Sequence, residues 1–163
     1  MSPRRAVACR ALVAALAIGL LAVACAGSAE RLSVPEYRKR ASTHCETLED
    51  ASNELRKAQQ PSATGKTVTQ FLHRAADRLR DLVQGLDGLE PPAALETDAD
   101  ELVGLLDDYA DGLDELADSV GPGDTLVATF EKNTQLVQRL NGVAGNATSL
   151  VTRLELTGCM LAT

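Results

Sequence analysis

The sequence predicts an all-α domain, an up-down-up-down antiparallel four-helix bundle. Apolar residues recur at steps of three and four along most of the chain, and no segment alternates apolar and polar residues with a period of two. Aromatic residues make up only 2% of the chain, with two Phe, two Tyr and no Trp. A core built from Leu, Val and Ala suits helix packing better than sheet packing, which favours β-branched and aromatic side chains.

The first 24 residues are typical of a signal peptide. Arg4, Arg5 and Arg10 form a basic region without acidic residues, and residues 11–24 carry no charge. As a helix this apolar run rises only about 21 Å, at about 1.5 Å per residue, and the hydrocarbon core of a bilayer is roughly 30 Å thick. The segment therefore predicts export rather than a stable membrane span.

The end of this segment, Leu21-Ala22-Val23-Ala24-Cys25, resembles the lipobox of bacterial lipoproteins, with Ala22 where Leu is usual. The resemblance implies cleavage before Cys25 and attachment of lipid chains such as palmitate, and two or more chains anchor a protein stably. The alternative is ordinary cleavage at the same Ala-x-Ala site, which leaves a secreted protein with a free thiol. We expect residues 1–24 to be a lipoprotein signal peptide and residues 25–32 a tether on the extracytoplasmic face of the cell membrane.

Two cysteines, Cys45 and Cys159, remain after such processing, because Cys9 leaves with the leader and Cys25 carries lipid. Only one intramolecular pairing is then possible, and outside the cytoplasm it is expected to be oxidised. A pair of buried thiols or a metal site are the alternatives. His44 adjoins Cys45 instead of sharing its helix face, and His73 stands alone, so we expect no metal site.

Residues 33–163 are expected to form the bundle, and each helix has its own start and stop signals. The first helix begins at a capping box of Ser33 and Glu36, with Pro in its first turn, and runs to about Gln60. A turn at 61–65 separates it from the second helix, whose apolar residues step by four and three from 68 to 89 and stop before two prolines.

The third predicted helix has the same alternation over 95–120 and ends at a Gly-Pro-Gly turn. Asp124 is expected to cap the fourth, which continues until Gly158. Loops of a few residues make consecutive helices antiparallel neighbours. In an even bundle without stagger Cys159 lies about 25 Å from the level of Cys45, at about 1.5 Å per residue. We therefore expect the fourth helix to break or kink at the two glycines of 141–146.

The charge pattern excludes one class of partner and leaves one acidic flank. Loss of the three leader arginines takes the net charge from −7 to −10, so we expect no nucleic-acid partner. On the third helix an acidic flank is expected, comprising Asp107, Asp111 and Asp118 with Asp114 or Glu115. The spacing of a calcium loop is missing, so we expect a solvated face partly paired with Arg74, Arg78 or Arg80 rather than a cation site.

The sequence contains no pattern that points to catalysis. There is no nucleophile elbow, zinc-binding helix motif or dinucleotide loop, and neither histidine lies near a candidate nucleophile in a recognisable arrangement. We expect no catalytic residue, no cofactor and no enzymatic activity.

Three short motifs together resemble a group of uncharacterised small helical lipoproteins and secreted proteins of actinobacteria. The motifs are Y-x3-A-x3-C from Tyr37 to Cys45, L-x2-L-x-P-P from Leu86 to Pro92, and Gly158-Cys159. The resemblance spans most of residues 33–159 and implies an early helix tied to the C-terminus by a Cys45–Cys159 disulfide. In this chain the cysteine directly follows the glycine, which is a departure from the group. The resemblance implies no particular activity.

Two functions follow as hypotheses. The first is a non-enzymatic interaction or structural module of the cell envelope, held at the membrane by its anchor and displayed to an envelope protein or lipid. The second is a carrier of an apolar small molecule or lipid in the bundle core, because an Ala-rich seam can leave room between helices. The sequence leaves the oligomeric state open.

Overall fold

A computed structural model describes residues 31–159, and this part of the chain is all-α, without a strand. Its helices are α1 Val34–His44, α2 Glu46–Ala58, α3 Lys66–Asp87, α4 Glu96–Asp118, α5 Leu126–Lys132 and α6 Thr134–Leu154. The all-helical class expected from the sequence is confirmed. The proposed signal peptide 1–24, the lipidation residue Cys25 and the first part of the tether lie outside the described residues.

The first predicted helix begins where expected and is divided in two. Glu36 accepts hydrogen bonds from the Ser33 backbone N–H at 3.2 Å and from its hydroxyl at 2.7 Å, which forms the capping box. These bonds lower the pKa of the Glu36 carboxyl, because they favour its charged form. The helix is interrupted at Cys45, between α1 and α2, where the Leu48 N–H donates to the Cys45 carbonyl at 3.0 Å.

The fourth predicted helix is also divided, and its cap differs from the expected residue. Thr125 is the N-cap, and its side chain accepts from the Ala128 N–H at 3.2 Å. Asp124, expected as the cap, instead accepts from the Gly121 N–H at 2.9 Å and pairs with Lys132 at 2.6 Å. Asp124 therefore closes the turn before α5, which takes its carboxylate away from the capping position.

The break expected within 141–146 is wrong, because α6 runs without interruption from Thr134 to Leu154. The helix breaks at Asn133, where the backbone has φ −118° and ψ 38°. The Asn133 side-chain amide donates to the Thr129 carbonyl at 2.8 Å and to the Ser119 hydroxyl at 2.9 Å. An Asn side chain that bonds to nearby backbone in this way competes with the helical pattern. The two glycines of α6 cost only about 1 kcal/mol each, and the helix buries an apolar face that offsets them.

A reversal of the chain beyond α6 brings Cys159 to Cys45. Glu155 is left-handed at φ 56° and Gly158 has φ 78°, so the chain turns back after α6 ends. The Thr157 N–H then donates to the Ser42 hydroxyl of α1 at 3.0 Å. The Cα atoms of Cys45 and Cys159 lie 4.8 Å apart and the two buried cysteines form a disulfide, as the resemblance implied.

The helices pack in three main pairs, α2 with α3, α3 with α4 and α4 with α6. In each pair residue numbers rise along one helix as they fall along the other, so each pair is antiparallel. Across α4 and α6, for example, Glu115 pairs with Arg139 while Asp98 pairs with Arg153. By contrast, α2 and α6 do not pack extensively on each other.

The core between these pairs is almost entirely Leu and Ala, as the composition predicts. The largest fully buried side chains apart from Tyr37 are seven leucines, Leu72, Leu79, Leu82, Leu102, Leu116, Leu150 and Leu154. Thr129 is the one buried polar residue within 31–159, and its hydroxyl donates to the Thr125 carbonyl at 3.0 Å. No helix in this range combines the length and hydropathy that a membrane crossing requires.

The loop before α3 and the loop before α5 approach each other closely at Gly65, so we expect this glycine to contribute to stability. Gly65 has φ 49°, its N–H donates to the Asp124 carbonyl at 2.9 Å, and an added Cβ would lie 3.0 Å from the Gly123 nitrogen. We expect Gly65→Ala to lower the free energy of unfolding by about 1–3 kcal/mol, because the backbone is strained and crowded. Urea denaturation followed by circular dichroism measures this.

The control for that variant is Gly123→Ala. Gly123 also has a positive φ, 87°, but a Cβ added there meets nothing within 4 Å. Gly123→Ala should therefore cost less than Gly65→Ala. Equal losses in the two variants would show that the close approach contributes nothing.

The disulfide should supply a large part of the stability of the domain. Its cysteines are 114 residues apart, and the chain-entropy argument gives at most about 4 to 5 kcal/mol for a loop of this length. We expect the double variant Cys45→Ala/Cys159→Ala, and the reduced native protein, to unfold at clearly lower urea concentrations than the oxidised protein. A double variant as stable as the oxidised protein would contradict a stabilising role.

Candidate functional site: an apolar groove between the helices

A groove of about 400 Å³ lies between α2 and α6, in the region where these two helices do not pack together. Small-molecule sites typically measure about 300–1,000 Å³ and are lined mainly by apolar side chains. The groove is lined by Leu55, Gln59, Leu72, Tyr109, Leu113, Leu116, Leu126, Phe130, Val137, Leu140, Asn141, Ala144 and Gly145. Helices α2 to α6 or their immediate ends all contribute to it.

Small residues of α6 leave this space open. Ala144 and Gly145 lie on the wall that α6 contributes, and a Cβ added at Gly145 would meet no atom within 4 Å. Several large apolar side chains of the lining consequently stay only half-buried, namely Leu55, Tyr109, Phe130 and Val137. Covering such surface is worth about 25 cal/mol per Å², so an apolar ligand in the groove would gain binding energy.

The lining contains no charged residue, although 24% of the chain is charged. Its polar groups are the amides of Gln59 and Asn141, exposed at the rim, and the hydroxyl of half-buried Tyr109. Every fully buried polar side-chain atom of residues 31–159 has a hydrogen-bond partner, whereas these three side chains make no hydrogen bond to another residue of this range. Burial raises the pKa of the Tyr109 hydroxyl, which keeps it a neutral donor.

The acidic flank of α4 is partly neutralised, as expected for a solvated face. Arg80 pairs with Asp111 at 2.8 Å and with Asp114 at 2.6 Å, and His73 Nδ1 lies 2.7 Å from Asp114 Oδ1. Burial alone raises the pKa of the Asp114 carboxyl, but the hydrogen bonds from His73 and Arg80 outweigh it and the pKa is lowered. Of the three arginines expected to pair with this flank, Arg80 does so.

The other two arginines serve different partners because they point away from α4. Arg74 lies on the side of α3 that faces α2, pairs with Glu54 at 2.8 Å and stacks over the Phe71 ring at 4.7 Å. Arg78 pairs with Asp81 within α3 at 3.5 Å. Of the remaining acidic residues of the flank, Glu115 pairs with Arg139. Asp107 and Asp118 form no ion pair within residues 31–159. In this same range no three His, Cys, Asp or Glu side chains come together as a metal-binding group.

The residues singled out by sequence lie apart from the groove. Cys45 and Cys159 form the disulfide near the opposite end of the gap between α2 and α6, and Cys25 is outside the described residues. The apolar steps predicted over 95–120 include Tyr109, and the sequence indicated no role in binding for Gln59, Phe130 or Asn141. The sequence feature nearest to the groove is the pair of glycines in α6. It indicated a helix break, whereas in the structure Gly145 leaves space beside α6 in the groove.

Comparisons with protein-family models, with curated proteins and with solved structures return no match for this chain. The membership in the actinobacterial lipoprotein group that the short motifs suggest therefore stays a prediction.

Proposed function

We propose that this protein is a membrane-anchored, extracytoplasmic carrier that holds an apolar small molecule or lipid chain in the groove between α2 and α6. The uncharged cavity of about 400 Å³ is the observation that supports it. Of the two functions expected from the sequence, the groove favours the carrier. The interaction module has no comparable feature in its favour, because ion pairs neutralise much of the acidic flank that would be displayed.

We also propose that the helices form an up-down-up-down four-helix bundle. In it α1 with α2 makes the first helix, and α5 with α6 makes the fourth. Three antiparallel pairs support this arrangement, as does the tail that returns along α1 to the disulfide. The groove is then the gap between the first and fourth helices, and it is open beside the small residues Ala144 and Gly145 of α6.

The anchor is proposed at Cys25, a few residues before the described domain begins. Arg31 pairs with Glu96 at 2.7 Å, and the Leu32 N–H donates to the Glu90 carbonyl at 3.0 Å. Both contacts hold the start of the domain at the connection between α3 and α4. A lipid on Cys25 would thus tether the domain by this end and leave the groove open to the surroundings.

Replacement of the proposed lipid-bearing sulfur should release the protein from the membrane. We expect the native protein in the membrane fraction and the Cys25→Ser variant in the soluble extracytoplasmic fraction, because acyl chains supply the anchoring energy. Cys9→Ser, a cysteine change inside the proposed leader, should leave fractionation unchanged. Intact mass of the extracted native protein should report cleavage before Cys25 and added acyl mass; retention of Cys25→Ser in the membrane would contradict the anchor.

Filling the groove should abolish binding of an apolar probe. N-phenyl-1-naphthylamine, which fluoresces in apolar surroundings, should bind the full chain carrying Cys25→Ser, purified without detergent. Adding Gly145→Leu should weaken this binding at least about tenfold, about 1.4 kcal/mol, because the new side chain occupies the cavity. Gly142→Leu is the matched control, since Gly142 lies on the same helix outside the groove lining and has equal space for a Cβ. Equal effects of the two changes, or no binding at all, would contradict the carrier.

A further inference from the structure

We infer that the groove selects an uncharged lipid, an aliphatic chain with a neutral hydrogen-bonding head such as an amide or alcohol, over an anionic lipid of the same length. This inference rests on the proposed carrier function and names the ligand class of the same site.

The groove lining offers no ion-pair partner to a charged head group of a ligand. No lining residue is charged, so a carboxylate or ammonium that loses part of its hydration at the groove finds no opposite charge in the lining to offset that loss. The cationic residues within two positions of a lining residue mostly have carboxylate partners. Lys57 pairs with Glu54, Lys132 pairs with Asp124 and Arg139 pairs with Glu115, while Arg56 donates to Asn53.

Acidic residues outnumber basic ones in the surroundings of the groove. The chain carries a net charge of −7, and Leu140 of the groove lining also borders a neighbouring pocket in which Asp108, Asp111 and Glu115 outnumber the one basic residue, Arg139. A negative surface potential disfavours an approaching anion. Neutral donors alone would therefore have to hold a carboxylate against this potential.

The polar groups at the groove are neutral hydrogen-bonding side chains. Gln59 and Asn141 each present both a donor and an acceptor, and Tyr109 adds a hydroxyl, on three different walls of the groove. None of the three is committed to a hydrogen bond within the described residues. An amide or alcohol head can use both donors and acceptors of this set, whereas a carboxylate uses only the donors.

The test compares ligands that share one chain and differ in head charge. Dodecanamide, dodecan-1-ol, dodecanoate and dodecylammonium, each below its micellar concentration, compete with N-phenyl-1-naphthylamine on the full chain carrying Cys25→Ser. We expect the amide and the alcohol to displace the probe at concentrations at least about tenfold lower than dodecanoate, a difference of about 1.4 kcal/mol. Dodecylammonium should also compete weakly, because the lining offers it no carboxylate.

A gain-of-function variant makes the test independent of folding defects. Asn141→Arg places a cation on the rim and should improve competition by dodecanoate about tenfold relative to dodecanamide. Asn146→Arg changes an exposed Asn of the same helix outside the lining and should leave the order of ligands unchanged.

The outcomes separate this inference from the proposed function. Probe binding that Gly145→Leu removes, together with competition by dodecanoate or dodecylammonium as strong as by dodecanamide, would overturn the ligand class and leave the carrier intact. Failure of the probe to bind would overturn both. Improvement of dodecanoate by Asn146→Arg as large as by Asn141→Arg would also count against a role of the rim.

Discussion

The covalent bond between Cys45 and Cys159 joins the beginning and the end of the helical domain, at one end of the gap between α2 and α6. Three neighbouring pairs of helices are held by buried leucines and alanines, whereas α2 and α6 share little contact. A disulfide constrains the unfolded chain and does not require an extensive interface between the elements it connects. The domain can therefore leave one side unfilled without losing its closure.

Several other features depend on that bond. The left-handed Glu155 and the positive φ of Gly158 exist because the chain must turn back to reach α1. Arg38 supports the same reversal, since it donates to the Leu154 carbonyl at 3.0 Å and pairs with Glu155 at 2.8 Å. Exposed ion pairs of this kind each contribute about 0–1 kcal/mol, so they orient the tail more than they hold it. The groove between α2 and α6 can stay open because the disulfide, at the other end of the gap, joins the first and last parts of the domain.

The sequence was sufficient for features that depend on local rules or on counting. The steps of three and four predicted the helices, Ser33 and Glu36 predicted the first cap, and the cysteine count together with the motif resemblance pointed to the disulfide. The break at Asn133 was beyond these rules, because it depends on a side-chain amide that reaches both its own helix and the Ser119 hydroxyl. Glycine cost alone suggested 141–146, but packing of the α6 face offsets a cost of about 1 kcal/mol per glycine.

The groove was not predictable for a related reason. Tyr109 and Phe130 have the same spacing as residues that become fully buried, and only the lateral distance between α2 and α6 decides that they line a cavity. This arrangement has a mechanical consequence. Leu55 of the groove lining lies about 15 Å along α2 from Cys45, at about 1.5 Å per residue. The lining is thus well separated from the point at which the disulfide fixes the start of α2. A small change in the angle between α2 and α6 would therefore displace Leu55 more than Cys45, whereas the packing of α2 on α3 opposes that change.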